Sequence, residues 1–230
     1  MTVVVLQHVA VEGPGRIAGA LDRAGHDWRA VHLYDGEPAP SSTAGVDGLV
    51  VMGGPMGVGD TDAFPHLADE QSLIRDCLDA RIAVIGVCLG AQLLAAALGA
   101  SIRPGESIEL GWHDVTLTAD GRHDPVLGRL PRRFAPLHWH GDVFDVPPGA
   151  TTLAWSEQTA VQAFRHDTTA YGLLFHLEAH QAQVAAMAEQ FPDDVHAAGI
   201  SAEHLVDASR LDTIAPAADE MFDAWVTLVS

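Results

Sequence analysis

The first half of the chain alternates short apolar runs with segments of helical periodicity. The apolar, β-branched runs predict buried strands at residues 2–6, 28–34, 48–52 and 82–87. The amphipathic segments predict helices at residues 17–24, 66–80 and 89–98. Strands that alternate with helices are typical of a parallel sheet covered by helices on both faces.

The second half changes character, because short apolar runs follow one another with turns between them. They predict strands at residues 108–118, 133–138, 143–146, 151–155, 160–165 and 171–178. We interpret these as antiparallel additions to the sheet. From residue 181 the pattern is helical again, and apolar residues recur on one side after Pro216. The fold prediction is therefore a doubly wound α/β domain, with a mostly parallel central sheet and a helical extension.

Charge narrows the possible partners. The 230 residues include 31 acidic and 12 basic ones, every basic residue is arginine, and the formal net charge is -19. Without lysine, a Walker-type phosphate loop, a lysine Schiff base and a lysine general base are excluded. A field this negative repels nucleic acid phosphates and anionic membranes, so we expect neither as a partner.

The chain has two cysteines, Cys77 and Cys88, which is unlike a secreted disulfide scaffold. Its N-terminus has no basic region followed by an apolar stretch, so no signal peptide is expected. No apolar run reaches the length of a membrane span. These features predict a cytoplasmic protein with free thiols.

The sharpest local pattern surrounds Cys88. An apolar strand ends at this residue, a helical segment begins at once, and Gly86 and Gly90 flank it. This is the pattern of a nucleophile elbow, in which flanking side chains would clash. At a helix N-terminus the dipole favours the thiolate of a group that otherwise titrates near ~8.5. The alternatives are that Cys88 is only a buried core residue, or that it lies in the similar turn of a redox or chaperone protein. We interpret Cys77 as a buried core residue without a catalytic role.

Two further segments match what a thiol nucleophile needs. His176 and Glu178 end an apolar run, and their spacing of two predicts side chains on one face, where Glu178 would fix the imidazole tautomer. Gly53 and Gly54 follow a predicted strand, and with the N–H of Leu89 they fit an oxyanion hole. The alternative for His176 and Glu178 is a strand end whose polar side chains face water. The alternative for Gly53 and Gly54 is an ordinary surface turn.

Together these motifs resemble the class I (triad) glutamine amidotransferases in order and spacing. The resemblance rests on the segments 86–92, 53–55 and 175–178, and it covers about residues 3–180. Residues 109–112 and 139–142 are similar to the subgroup related to the amidotransferase part of GMP synthetase. Leu177 departs from the family pattern, which usually has proline there, and we expect less rigidity rather than less activity.

The resemblance implies a flavodoxin-like fold and a function for each motif. Residues 1–180 would be the catalytic domain, and residues 181–230 a helical extension packed on it. Cys88 would be acylated by the glutamine side-chain amide, His176 would protonate the departing ammonia, and Glu178 would orient the ring. The substrate would be held by Gln92, His140, Gly141 and Asp142. Neither a cofactor nor a metal is implied.

Four functional hypotheses stay open at this stage. One is an amidotransferase that delivers ammonia to an acceptor enzyme, which could be a separate synthetase subunit. Another is a stand-alone γ-glutamyl hydrolase, favoured by the lack of room for a fused synthetase. A zinc protein with His138, His140 and Asp142 as ligands is a third, since these residues alternate on a predicted strand. The fourth is a non-catalytic binding protein.

Overall fold

The computed structural model describes residues 1–229. Its strands are β1 (Thr2–Gln7), β2 (Asp27–His32), β3 (Gly48–Val51), β4 (Ala83–Val87), β5 (Ile102–Trp112), β6 (Val115–Leu117), β7 (Arg133–Phe134), β8 (Leu137–Phe144), β9 (Ala150–Trp155), β10 (Ala163–His166) and β11 (Ala170–Leu173). Its helices are α1 (Gly15–Ala24), α2 (His66–Asp79), α3 (Leu89–Ala97), α4 (Ala119–His123), α5 (Gln181–Gln190), α6 (Pro192–Ala197), α7 (Ala202–Leu205) and α8 (Ala208–Val226).

A nine-stranded sheet forms the centre, in the order β2-β1-β3-β4-β11-β10-β9-β6-β7. The first five strands in this order pair in parallel, and the last four are added antiparallel. The predicted fold, a parallel α/β sheet with antiparallel additions, is therefore confirmed.

Both faces of the sheet are covered, which explains why its central strands are apolar throughout. Along β1, Val3 and Val5 point into one core, and Val4 and Leu6 point into the other. Helices α1 and α8 cover the first face, and α2 and α3 cover the second. No helix among residues 1–229 is both long and apolar enough to cross a membrane.

A separate ribbon of β5 and β8 corrects several predicted strands. The predicted strand 108–118 is wrong, because β5 ends at Trp112 and the next strand, β6, belongs to the central sheet. The predicted strand 133–138 is wrong as a single strand, because β7 ends at Phe134 and β8 begins at Leu137. The predicted strand 143–146 is wrong as a separate strand, because its first two residues are the end of β8. Apolar periodicity misses these breaks because Leu110 packs into a third core, beside Val184 and Leu205, whereas Leu117 packs into the first.

The predicted strand 171–178 ends early, because β11 stops at Leu173. His176 then makes an isolated bridge to Leu137, where its N–H donates to the carbonyl at 2.8 Å. At the C-terminal end, α8 continues through Pro216. The domain boundary at residue 180 stays a prediction. Helix α8, which lies beyond it, shares a core with the central sheet.

Candidate active site

A cleft of about 380 Å³ opens beyond the carboxyl ends of the parallel strands. This is where ligands bind in open α/β sheets. Gly54 follows β3, and Cys88 follows β4. The strand β8 supplies a wall that begins at Trp139, and the C-terminal helices supply a second wall that includes Asp194.

The elbow at Cys88 has the predicted geometry. Its φ of 51° and ψ of -109° lie outside the regions that side-chain-bearing residues prefer, which costs about 1–3 kcal/mol. A side chain at Gly86 would overlap the backbone of Gly90, and one at Gly90 would overlap the Val51 carbonyl. Cys88 is only 6% exposed but lines the cleft, and its thiol donates to the Trp139 carbonyl at 3.4 Å.

His176 and Glu178 meet as predicted, although they do not lie on a regular strand. His176 Nδ1 is 2.7 Å from Glu178 Oε1, while Glu178 Oε2 accepts the N–H of Leu177 at 3.0 Å. A carboxylate only accepts, so Nδ1 carries a proton. His176 Nε2 is buried without a hydrogen-bond partner among residues 1–229.

The neighbours of His176 raise the pKa of its ring. Burial alone would lower the pKa, but the Glu178 charge and the proximity of Cys88 outweigh burial and raise it well above the ordinary 6.5. The ring is therefore suited to carry a positive charge next to Cys88.

The predicted oxyanion residues divide into two groups. Leu89 begins α3, where the first N–H groups of a helix have no intrahelical acceptor. Gly54 lines the cleft, and a side chain there would lie 3.2 Å from the Leu89 side chain. Gly53 does not line the cleft, and its carbonyl lies 3.1 Å from His8 Nδ1.

The predicted substrate residues Gln92, His140, Gly141 and Asp142 all line the cleft. Gln92 Nε2 donates to the Asp142 carbonyl at 3.2 Å, which ties α3 to β8. Burial and the nearby His176 lower the pKa of His140 to about 3, so its ring is neutral at neutral pH.

The structure does not assemble the hypothetical zinc ligands as predicted. His138 Nδ1 and His140 Nε2 are 3.4 Å apart, but the carboxylate beside them is Glu109, 3.5 Å from His138 Nδ1, and not Asp142. Both oxygens of Glu109 already accept hydrogen bonds, from Ser156, Thr159 and Gln162. We therefore interpret this group as a buried polar network.

Sequence reasoning missed Glu12, which lines the cleft and is 7% exposed. Burial raises the pKa of its carboxyl group, and the nearby His176 counteracts part of that effect. A Cβ at Gly53 would overlap the Glu12 carboxylate, so a side chain there would displace Glu12. The sequence could have indicated Glu12 by its position, because it lies in the loop that follows β1, at the same sheet edge as the loops after β3 and β4.

The C-terminal wall was also missed. Met187, Phe191 and Asp194 line the cleft, and Asp194 accepts a hydrogen bond from Trp139 Nε1 at 3.0 Å. The rings of Trp139 and Phe191 meet edge to face, with centroids 6.2 Å apart. No local motif marks these residues, because their partners lie far away in the sequence.

Comparison with known proteins agrees with this geometry. The family model of class I glutamine amidotransferases matches residues 17–192. The chain belongs to this family. A putative glutamine amidotransferase-like protein of Salmonella typhimurium is 33% identical over 181 residues, covering 77% of this chain and 76% of that protein. A glutamine-hydrolysing GMP synthase subunit of Natronomonas pharaonis is 32% identical over 189 residues, covering 80% and 95%.

Solved structures of glutamine amidotransferases are similar over the whole chain. One from Methylobacillus flagellatus superposes with a TM-score of 0.92 at 27% identity, covering 100% of this chain and 95% of that one. One from Thermotoga maritima gives 0.89 at 27% identity, covering 100% and 98%. The predicted membership of the class I glutamine amidotransferases, and with it the assignment as an enzyme, is confirmed.

Proposed function

We propose that the protein hydrolyses the side-chain amide of glutamine through a thioester on Cys88 and releases ammonia for an acceptor enzyme. The observation that carries this proposal is the free Nε2 of buried His176, whose Nδ1 is held by Glu178 next to a thiol in the cleft. Family membership supports the same reaction.

In the acylation step, His176 Nε2 takes the proton of the Cys88 thiol. The sulfur attacks the amide carbon, and the carbonyl oxygen becomes negative. The N–H groups of Leu89 and Gly54 would donate to that oxygen, and oxyanion donors of this kind each contribute about 10²–10³-fold to the rate. The carbon–nitrogen bond then breaks as His176 Nε2 gives its proton to the leaving nitrogen. Ammonia and a glutamyl thioester result.

In the deacylation step, water attacks the thioester carbon while His176 accepts its proton. The carbon–sulfur bond breaks, glutamate leaves, and Cys88 recovers its proton. Glu178 holds the ring in the tautomer that both steps require.

A stand-alone γ-glutamyl hydrolase is the second candidate. The cleft volume of about 380 Å³ falls within the range of ~300–1,000 Å³ typical of ligand sites, and its walls extend to Asp194. That extent leaves space for a group beyond the γ-glutamyl unit. The chemistry at Cys88 is identical, and only the leaving group differs.

The identity of an acceptor belongs to the proposal too. Separate glutamine-hydrolysing subunits of GMP synthase are relatives, so a separate synthetase subunit is a reasonable ammonia acceptor. A cytoplasmic location is also part of it, because the reaction needs a reduced thiol and both cysteines are free in the structure.

The test is glutamate release from glutamine and from a panel of γ-glutamyl peptides. We expect release by the wild type and its loss in Cys88→Ala. Cys77→Ala is the matched control, since it removes the other free thiol from a buried position on α2. Retained turnover in Cys88→Ala would refute the proposal, and the preferred substrate separates the two candidates.

A further inference from the structure

A second group of charged side chains lies next to Gly53 and Gly54 and includes none of the proposed reacting residues. This cluster consists of His8, Glu70 and His66. His8 Nε2 is 2.9 Å from Glu70 Oε2, and His66 Nδ1 is 2.9 Å from Glu70 Oε1. The side chains of His8 and Glu70 are fully buried. Tetrahedral zinc, with bonds of ~2.0–2.1 Å, separates its ligands by about 3.3 Å, so the observed contacts fit hydrogen bonds better than a metal.

The protonation of His8 follows from its neighbours. Its Nε2 faces the Glu70 carboxylate, and its Nδ1 faces the Gly53 carbonyl oxygen at 3.1 Å. Both partners are acceptors, so each nitrogen needs a proton and the ring is positively charged. Its pKa agrees with this: burial lowers it, but the hydrogen bond and charge of Glu70 outweigh burial and leave it raised. The pKa of Glu70 is lowered by His66 and His8 against the opposing effect of burial.

The contact with Gly53 fixes the direction of the next peptide group. The chain has no cis peptide bond among residues 1–229, so the Gly53 C=O and the Gly54 N–H point in opposite directions. With the carbonyl held on His8, the Gly54 N–H is directed away from the His8 ring. Gly54 itself lines the cleft. No backbone carbonyl among residues 1–229 accepts a hydrogen bond from this N–H.

This peptide needs an external restraint. Two successive glycines have no side chains to oppose rotation of the peptide plane between them. A rotated peptide would present the Gly53 carbonyl oxygen, instead of an N–H, to the negative oxygen of the intermediate. A side chain at Gly54 is also disfavoured, because its Cβ would lie 2.8 Å from the His8 Cβ.

We infer that His8, held by Glu70 and His66, is a positioning residue that locks the Gly53–Gly54 peptide with its N–H toward the cleft. The inference rests on the proposed function, because it assigns that N–H to the oxyanion hole. His8 touches neither the substrate nor the thiol in this role. It acts through the peptide it holds.

The test compares two variants at one position. His8→Leu removes the donor to Gly53, whereas His8→Asn keeps an N–H donor near the position of Nδ1. We expect His8→Leu to lower kcat for glutamine by about 10²-fold with little change in KM, because the donor acts in the transition state. His8→Asn should recover most of this loss. His123→Leu is the matched control, since His123 Nδ1 also bonds a backbone carbonyl, at 2.8 Å on the exposed α4.

Alkylation of Cys88 by iodoacetamide separates positioning from general damage. This reaction needs the thiolate but forms no oxyanion, so its rate should be unchanged in His8→Leu. Wild-type kcat in His8→Leu overturns the inference. A parallel fall in alkylation, or a His8→Asn variant as slow as His8→Leu, also overturns it, because the role is then purely structural.

A crystal structure of His8→Leu shows the orientation of the Gly53–Gly54 peptide directly, whatever the activity of the variant. We expect the Gly53 carbonyl to occupy the cleft side in at least part of the molecules. A peptide oriented as in the wild type overturns the inference. Failure of the proposed function looks different, since the wild type itself then releases no glutamate.

Discussion

Two buried imidazole–carboxylate pairs lie near the same cleft and differ in what the second ring nitrogen meets. In His176, Nδ1 is 2.7 Å from Glu178 and Nε2 has no hydrogen-bond partner among residues 1–229. In His8, Nε2 is 2.9 Å from Glu70 and Nδ1 bonds Gly53. A ring with a free nitrogen can accept and return a proton, whereas a ring with both nitrogens engaged can only hold its neighbours. The same two residue types therefore suit proton transfer in one place and positioning in the other.

The largest expected effect is at the pair with the free nitrogen. His176→Ala should lower kcat/KM by on the order of 10⁴-fold, because both proton transfers lose their carrier. The expected loss at His8 is about a hundredfold smaller. Steady-state glutamate release by both variants measures the difference, and equal losses would contradict the division of roles.

Glu178→Gln should cost somewhat less, about 10²–10⁴-fold in kcat. The Leu177 N–H needs an acceptor at Oε2, so the glutamine oxygen should turn there and its NH₂ should face His176. That arrangement favours the wrong tautomer. It also removes the charge that raises the pKa of His176, so the alkaline limb of the residual kcat/KM profile should move to lower pH. An unshifted limb would argue against Glu178 as the source of the raised pKa.

Glu70→Gln should affect stability more than chemistry, lowering the free energy of unfolding by about 1–3 kcal/mol. The raised pKa of His8 gives stability that is complete below its ordinary 6.5 and is lost as pH rises through the folded value. The lowered pKa of Glu70 gives stability that is complete above 4.5 and is lost as pH falls through the folded value. The deficit of the variant should therefore be largest between about pH 4.5 and 6.5. Urea unfolding across this range measures it, and a pH-independent deficit would contradict the ion pair.

The smallest reactivity is expected at the Cys77 thiol, which has no imidazole partner among residues 1–229. Burial, and then the charge of Asp76, raise the pKa of Cys77 to about 12, so this thiol stays protonated at neutral pH. Iodoacetamide should label Cys88 alone in the native protein, as mass spectrometry of digested samples would show. Native-state labelling of Cys77 at a comparable rate would mean that proximity to His176 confers no special reactivity.

Sequence reasoning predicted the elements whose causes are local. The elbow is readable because the clash at Gly86 and Gly90 arises within a few residues of Cys88 or from an adjacent strand. The contact of His176 with Glu178 was found for an incorrect reason, since β11 ends at Leu173 and the pair lies in a bend.

The residues that were missed depend on partners distant in sequence. His8 and Glu70 are 62 positions apart, and Trp139 and Asp194 are 55 apart. Neither spacing produces a periodic signal. The break between β5 and β6 was missed for a related reason, because apolar residues continue across it while the core they enter changes.

The cleft is assembled from residues as far apart as Glu12 and Asp194. A chain still emerging from the ribosome therefore lacks one wall until α6 has been made. Synthesis itself delays the finished pocket, so both walls can hold a substrate beside the sulfur only after residue 194 has been made.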